Sequence, residues 1–364
     1  MYPQIRFDIS AIEENARRVA ELCRPSGVSF LGVTKVVAGD PEIGRAMLVG
    51  GAQGLADARL ANLRRLRRAG LDCPLLLLRA VGPGEAEETI KWADLSIQSS
   101  EETLQALDRE AERKGCLHQV LLAVESGDLR EGLMPERLLE VTRAFQGWKH
   151  LTLTGLATNF ACLSGVLPTP QSIGDFISLA KRVAEEVGHS LTTLSAGATV
   201  CLSLLERGEM PEGVNQLRIG EAIVCGTDTS GARRVPGTRQ DTALLLAEVI
   251  EVEEKPSLPW GPLGRDAFGA SPIFRNRGRR IRALLALGRV DCEPDELEPD
   301  EPGLEVIGAS SDHLLVDVTE RSRRTAVGEI LSFRAGYHAI LRACASPYVE
   351  KRYQSQEPYQ RRIE

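Results

Sequence analysis

The sequence predicts an α/β fold: a (β/α)8 TIM-type barrel followed by a mostly β C-terminal domain. Three observations lead there. Between residues 28 and 219, apolar runs of strand length alternate with helix-like segments, giving eight strands. Such alternation indicates a parallel sheet, and eight repeats argue that the sheet closes on itself. After about Gly231 the rhythm breaks, and proline and glycine clusters separate short alternating runs, as in a β domain. An open doubly wound sheet is the competing architecture. No G-x-G-x-x-G follows the first strand, which weakens a dinucleotide-binding version of it.

Taken in order, residues 5–9 alternate briefly as a strand. Ser10 and Glu13 have capping-box spacing and open a helix to about Leu22. Barrel strands are predicted at 28–34, 54–56, 74–78, 95–97, 119–124, 151–156, 191–194 and 216–219. Helices are predicted at 41–49, 58–69, 101–114, 136–145 and 173–186. Arg233 to Gly237 reads as a linker. Strands follow at 242–252, 281–287, 314–318 and 330–333, with the acidic run 293–305 as a solvated loop. The domains are therefore drawn as a barrel over 10–232, and a β domain over 233–364 that takes in an N-terminal strand at about 1–9.

A chain of 364 residues suits a barrel with an appendage. A net charge of −7 gives no basic field for nucleic acid or an anionic membrane, and no apolar run is long enough to cross a bilayer. Residues 1–12 carry charges and no signal-like apolar core. The eight cysteines are scattered with no C-x-x-C pair. That argues for reduced thiols in a cytoplasm, and against a disulfide frame or structural metal site.

Barrel chemistry sits at the C-terminal ends of the strands. Lys35 ends the first strand, alone in an apolar run. A lysine there is costly unless paired or relieved of its charge, and an imine with an aldehyde cofactor relieves it. Snorkelling out of the strand mouth is the alternative. Arg130 follows Ser126-Gly127-Asp128-Leu129, and Thr158-Asn159 follows another strand. Ser195-Ala196-Gly197-Ala198-Thr199 and Arg218-Ile219-Gly220-Glu221 close the last two, where barrels commonly bind phosphate on backbone N–H groups. One lysine, one phosphate cradle and one arginine on a single rim make a coherent pyridoxal phosphate site. Asp57 reads as a helix cap or a substrate acceptor, Asp128 as a loop acceptor, and His118, His150 and His189 as ordinary residues near element ends.

The order of these motifs, nearly end to end, resembles the alanine-racemase-like (fold-type III) pyridoxal phosphate enzymes, most of all their ornithine racemase branch. The motifs are Gly32-Val33-Thr34-Lys35-Val36-Val37, Gly54-Leu55-Ala56-Asp57, Gly127-Asp128-Leu129-Arg130-Glu131-Gly132, Thr158-Asn159-Phe160-Ala161-Cys162, Leu217-Arg218-Ile219-Gly220-Glu221-Ala222-Ile223 and Gly308-Ala309-Ser310-Ser311-Asp312-His313. The resemblance implies that Lys35 holds the cofactor and takes the α-proton from one face. Arg218 then contacts the pyridine nitrogen and, being a permanent cation, keeps it unprotonated. Thr199, Gly220 and Glu221 match phosphate-contacting positions, and Ser195 and Gly197 share their loop. Arg130 steadies the substrate carboxylate. Ser311 and Asp312 match a pair that reaches the partner subunit's site, which implies a homodimer with shared active sites acting on a small-molecule amino-acid substrate.

The chain also departs from the family. Asn159 stands where alanine racemases carry a histidine under the ring, and Gly39 where they carry a phosphate-binding tyrosine. Their second base, a tyrosine, is replaced in Gly288-Arg289-Val290-Asp291-Cys292 by Arg289, which reads as a carboxylate clamp. That leaves Asp291 as first choice for the opposite base, then Cys292 and His313. The expected activity is racemisation of an amino acid, ornithine first, with no metal, and with Glu221, Asp57, Asp291 and Asp312 as candidate acceptors for the basic side chain. A cofactor carrier, a metal-assisted D-amino-acid dehydratase or aldolase, and a decarboxylase using Cys292 or Cys344 are the alternatives.

Overall fold

In the computed structural model, residues 2–271 and 273–354 are described. The ends of the predicted second domain, Met1 and 355–364, lie outside the described residues. The chain forms two compact units. One is Ile9–Arg239, and the other joins the N-terminal strand to the chain from Gln240 onward.

The second unit begins with β1 (Gln4–Asp8), and the first with α1 (Ile9–Cys23). Because α1 starts directly after β1, Ser10 lies inside its first turn and does not precede it as a cap. The barrel strands are β2 (Ser29–Val33), β3 (Leu55–Asp57), β4 (Leu75–Leu77), β5 (Leu95–Gln98), β6 (His118–Val124), β7 (Leu151–Thr158), β8 (Thr193–Ala196) and β9 (Gln216–Ile219). They close in that order, β9 pairing with β2, and every neighbour is parallel. The predicted strand at 191–194 is displaced to Thr193–Ala196, because pairing with β7 begins only where Gly155 meets Thr193. The helices are α2 (Pro41–Val49), α3 (Leu60–Arg68), α4 (Ala86–Trp92), α5 (Glu101–Lys114), α6 (Pro135–Phe145), α7 (Pro170–Val187), α8 (Leu202–Glu206) and α9 (Glu221–Val224). A capping box does form, at Thr169 and Ser172 before α7.

Side chains fill the barrel. Leu31, Val33, Ala56, Leu76, Ile97, Leu121, Ala123 and Ala157 form one buried cluster, so the interior is a packed core and substrate must approach from a rim. His118 is buried, with Nε2 2.9 Å from Ser96 Oγ. Burial pulls its pKa from 6.5 down to about 4. The fold thus holds the neutral ring, and the unfolded chain takes up the proton first. The stability this gives is present above pH 6.5 and is lost as the pH falls through 6.5 towards 4. The loss should be about 3 kcal/mol. Urea denaturation across that range should show it, and His118→Gln should flatten the slope.

After β9 come β10 (Thr227–Asp228) and β11 (Arg233–Arg234), which pair with each other. The stretch expected as a linker is thus partly strand. Arg233 bonds Asp228 and Glu206, and Val235 is buried.

In the second unit follow β12 (Ala243–Pro256), β13 (Arg279–Leu285), β14 (Leu297–Pro299), β15 (Glu305–Ala309), β16 (Leu314–Asp317), β17 (Ile330–Ala335), α10 (Tyr337–Ala345) and β18 (Glu350–Gln354). The sheet order is β14-β17-β12-β13-β16-β15, and β1 pairs with β12 and β18. The acidic run is not all loop. Leu297 is buried and pairs with Ala335, which makes an edge strand of its middle. Among the described residues no helix is long and apolar enough to cross a membrane. None of the eight cysteines is in a disulfide.

Candidate active site

Lys35 does not lie within its strand. β2 ends at Val33, Thr34 turns the chain at φ −94°, ψ 1°, and Lys35 opens a single 3-10 turn with its side chain exposed. The cost expected of a lysine inside an apolar run is therefore not incurred. Its surroundings are fixed instead. Thr34 Oγ1 donates to Asp57 Oδ2 at 2.7 Å, and Asn62 Nδ2 and the Arg59 N–H donate to Asp57 Oδ1 at 3.0 and 2.9 Å. Burial still raises the Asp57 pKa, against these bonds. Asp57 is thus an internal tie between β2, β3 and α3, with its oxygens committed. Asp40 caps α2 by accepting from Glu42 and Ile43. Gly39 has φ +64°, and a Cβ there would lie 2.5 Å from Asn62 Cβ. This backbone has no room for a tyrosine.

β9 lies between β8 and β2, so their C-terminal ends are neighbours. Arg218, in register with Leu31 of β2, is 6% exposed. It donates to Ser195 O and Oγ at 3.0 and 2.6 Å, and to Thr158 O at 2.6 Å. Burial pulls its pKa down to about 10, so at neutral pH it remains a cation. These bonds revise the expected cradle. Ser195 is fully buried behind Arg218, and the Gly197 N–H is already donated to Thr158 O. Thr199 Oγ1 accepts from the Ala222 N–H at 3.3 Å, leaving its own proton to give. The N–H groups of Gly220 and Glu221 have no acceptor among the described residues. The Glu221 carboxylate is used locally: Oε1 accepts from Thr227 Oγ1, and from Thr229 N and Oγ1. Asn159 is half-buried, its amide donating to Phe160 O.

Arg130 sits on a braced loop. Glu125 Oε1 accepts from Gly127 N and Leu129 N, while Asp128, buried, accepts from Leu163 N and Ser164 N, as a loop acceptor does. Arg130 is 2.7 Å from Glu131 Oε1. Burial works against its charge, but Glu131 and then the Cys162 sulfur outweigh it, and its pKa stands above the ordinary value. Sequence reasoning did not single out Glu131 or Cys162 as site residues. Both act electrostatically on Arg218 as well. Ala38, Leu129 and Ala161 have positive φ in the loops after β2, β6 and β7. Strain of this kind collects where function over-determines the backbone.

In the second unit the two flagged motifs form one patch. Arg289 N donates to Ser310 O, Val290 N to Ser311 O, and Ser310 N to His313 O. Gly288 permits this, since a Cβ there would lie 2.0 Å from Ser311 O. Gly288→Ala should therefore lower stability by about 2–3 kcal/mol in chemical denaturation. Arg289 is paired with Glu293 Oε1 at 2.9 Å and lies over the Phe268 ring. Asp291 is buried and accepts from Ser346 Oγ at 2.7 Å. Cys292 is fully buried, its sulfhydryl donating to Gly288 O, and burial pushes the thiol up to about 12. Such a thiol is a poor proton carrier at neutral pH, which speaks against both roles considered for it. Cys344 is buried too. Ser311, Asp312 and His313 are exposed, Ser311 Oγ bonding Asp312 at 2.6 Å. Among the described residues no three His, Cys, Asp or Glu side chains are grouped to hold a metal ion.

Residues 7–228 match the family described as alanine racemase, N-terminal domain. A lysine racemase of Thermotoga maritima is 38% identical over 354 residues, 97% of this chain and 99% of that protein. An ornithine racemase of Acetoanaerobium sticklandii is 35% identical over 352 residues, 96% and 99% of the two chains. The fold matches alanine racemase from a D-cycloserine-producing Streptomyces lavendulae, with a TM-score of 0.78 at 18% identity over 98% of this chain and 99% of that one. The chain belongs to the alanine racemase family, and it is a pyridoxal-phosphate-dependent amino-acid racemase.

Proposed function

We propose that the enzyme racemises a basic amino acid, ornithine first, by passing the Cα proton between groups on opposite faces of the bound substrate. The observation that carries the site assignment is an exposed Lys35 just past the end of β2, the strand paired with β9, which holds the buried Arg218 cation. Support for a basic side chain comes from the two full-length relatives, named for lysine and ornithine.

The residues present fit the cofactor. A free primary amine faces solvent at Lys35. The Thr199 hydroxyl and the N–H groups of Gly220 and Glu221 offer donors to a phosphate. Pyridoxal phosphate, when bound, supplies an electron sink that acidifies the substrate's Cα proton. Arg218 holds a fixed positive charge that Ser195 and Thr158 orient, and it has no proton to give at neutral pH. Lys35 holds the cofactor and carries the proton on its own face. Arg130 takes the substrate carboxylate, and Asn159 stands beside the ring. The opposite proton carrier is Asp291. His313 is the second reading, favoured by its exposure, whereas Asp291 is buried. Arg289 and the Ser311–Asp312 pair serve the carboxylate side.

A homodimer follows if the β domain completes a partner's site. Trp260, Leu263 and Ile273, 84%, 68% and 92% exposed between β12 and β13, give this unit apolar surface to cover. The scattered cysteines, none of them in a disulfide, support a cytoplasmic location.

Incubation with single L-amino acids and pyridoxal phosphate in D2O tests the reading. Cα deuteration with inversion, fastest for ornithine, is expected. Carbon dioxide release, keto acid with ammonia, or no exchange with any amino acid would overturn it.

A further inference from the structure

The mouth of the barrel carries three cations, Lys35, Arg130 and Arg218. A substrate with a second ammonium group would be repelled there unless a carboxylate met it. Two acids of that rim have both carboxylate oxygens bonded. Asp57 holds Thr34, Asn62 and Arg59, and Asp128 holds Leu163 and Ser164. Glu125 accepts from two backbone N–H groups of its own loop, and Glu221 holds Thr227 and Thr229. Glu131 differs. Its one partner among the described residues is Arg130, on Oε1, and its side chain is 30% exposed. Oε2 is left to accept.

We propose that Glu131 receives the distal ammonium of the substrate on Oε2, while Arg130, steadied by Oε1, faces the carboxylate. This rests on the basic-substrate reading above. The loop suits the task, since Glu125 and Asp128, just ahead of Arg130, brace it by accepting from Leu129 N and Leu163 N. The electrostatic influence of Glu131 on Arg218 is consistent with a position facing the same space. Glu131 is in this account a specificity residue, and it takes no part in proton transfer.

The test compares L-ornithine with L-norvaline, which has the same carbon chain without the ammonium, on the pyridoxal-phosphate-loaded enzyme. The native enzyme should prefer ornithine by about 10- to 100-fold in kcat/KM, the worth of one charge-assisted hydrogen bond. Glu131→Gln should erase most of that preference through KM for ornithine, with kcat for ornithine and both constants for norvaline changed less than about threefold. Glu131→Asp should restore part of it. If Glu131→Gln does not load with cofactor, Glu131→Asp carries the test by the same split. An unchanged ornithine-to-norvaline ratio would overturn the assignment, as would an equal fall for both substrates, which marks a merely structural role. A native enzyme without preference for ornithine would overturn the basic-substrate reading, and this assignment with it. A native preference that survives in the variants overturns the Glu131 assignment alone.

Discussion

Lys35→Ala is expected to lower racemisation by about 10⁴-fold or more, while leaving the barrel folded. The first part follows from asking one amine both to hold the cofactor and to move a proton. General acid–base catalysis alone accounts for about 10²- to 10⁴-fold, and loss of the covalent anchor adds to it. The second part follows from the exposure of Lys35 and its place beyond the last residue of β2. Its neighbours are held by Thr34, Asp57, Asn62 and Asp40, none of which uses the lysine side chain. Thermal melts should therefore move little. The visible absorbance of bound cofactor should disappear. A melt that collapses with the activity would mean that Lys35 is structural.

Arg218→Ala should have the second largest effect, and it should damage stability as well as chemistry. The guanidinium fills a buried site and serves three acceptors on two other strands. Its removal leaves Ser195 O and Oγ without that donor and opens a cavity. A cost of roughly 2–4 kcal/mol is expected in urea denaturation. Activity should fall by about 10²- to 10³-fold, in the range seen when one preorganised electrostatic donor is removed. The fixed charge also denies a proton to whatever acceptor it faces. Its loss should raise the keto acid released per racemisation turnover, measurable with a lactate-dehydrogenase-type coupled assay or by chromatography. Arg218→Lys should keep the charge but reach fewer of the three acceptors, and it should fall between the two. With the native enzyme, activity should decline as the pH rises through about 10, where the buried guanidinium gives up its charge.

Lys35 and Arg218 stood out as lone charges at the edges of apolar runs, a local signal. The eight barrel strands were legible for the same reason. What positions the charges was not. Arg218 bonds Ser195 and Thr158, 23 and 60 residues away in sequence, and the partners meet only when the sheet closes. The Thr34–Asp57–Asn62 tie likewise joins the end of β2 to Asp57 of β3 across 23 residues, and Asp57 to Asn62 of α3. No periodicity reports such bonds. Spacing also misled at Ser10, since the capping-box pattern ignores that a strand runs straight into the helix. The acidic run hid an edge strand because its charges outnumber the one buried leucine, Leu297, that pins it. Cys292 was a candidate by residue type, and only burial told against it. Glu131 passed unremarked because an Arg-Glu pair in a loop usually reads as a solvated ion pair.

Borohydride reduction of the loaded enzyme, followed by peptide mass mapping, tests the central claim most directly. Reduction fixes the cofactor to whichever amine carries it. The account predicts one pyridoxyl group per chain, on the peptide containing Lys35. A fully active enzyme labelled at another lysine, with Lys35 unmodified, would contradict it.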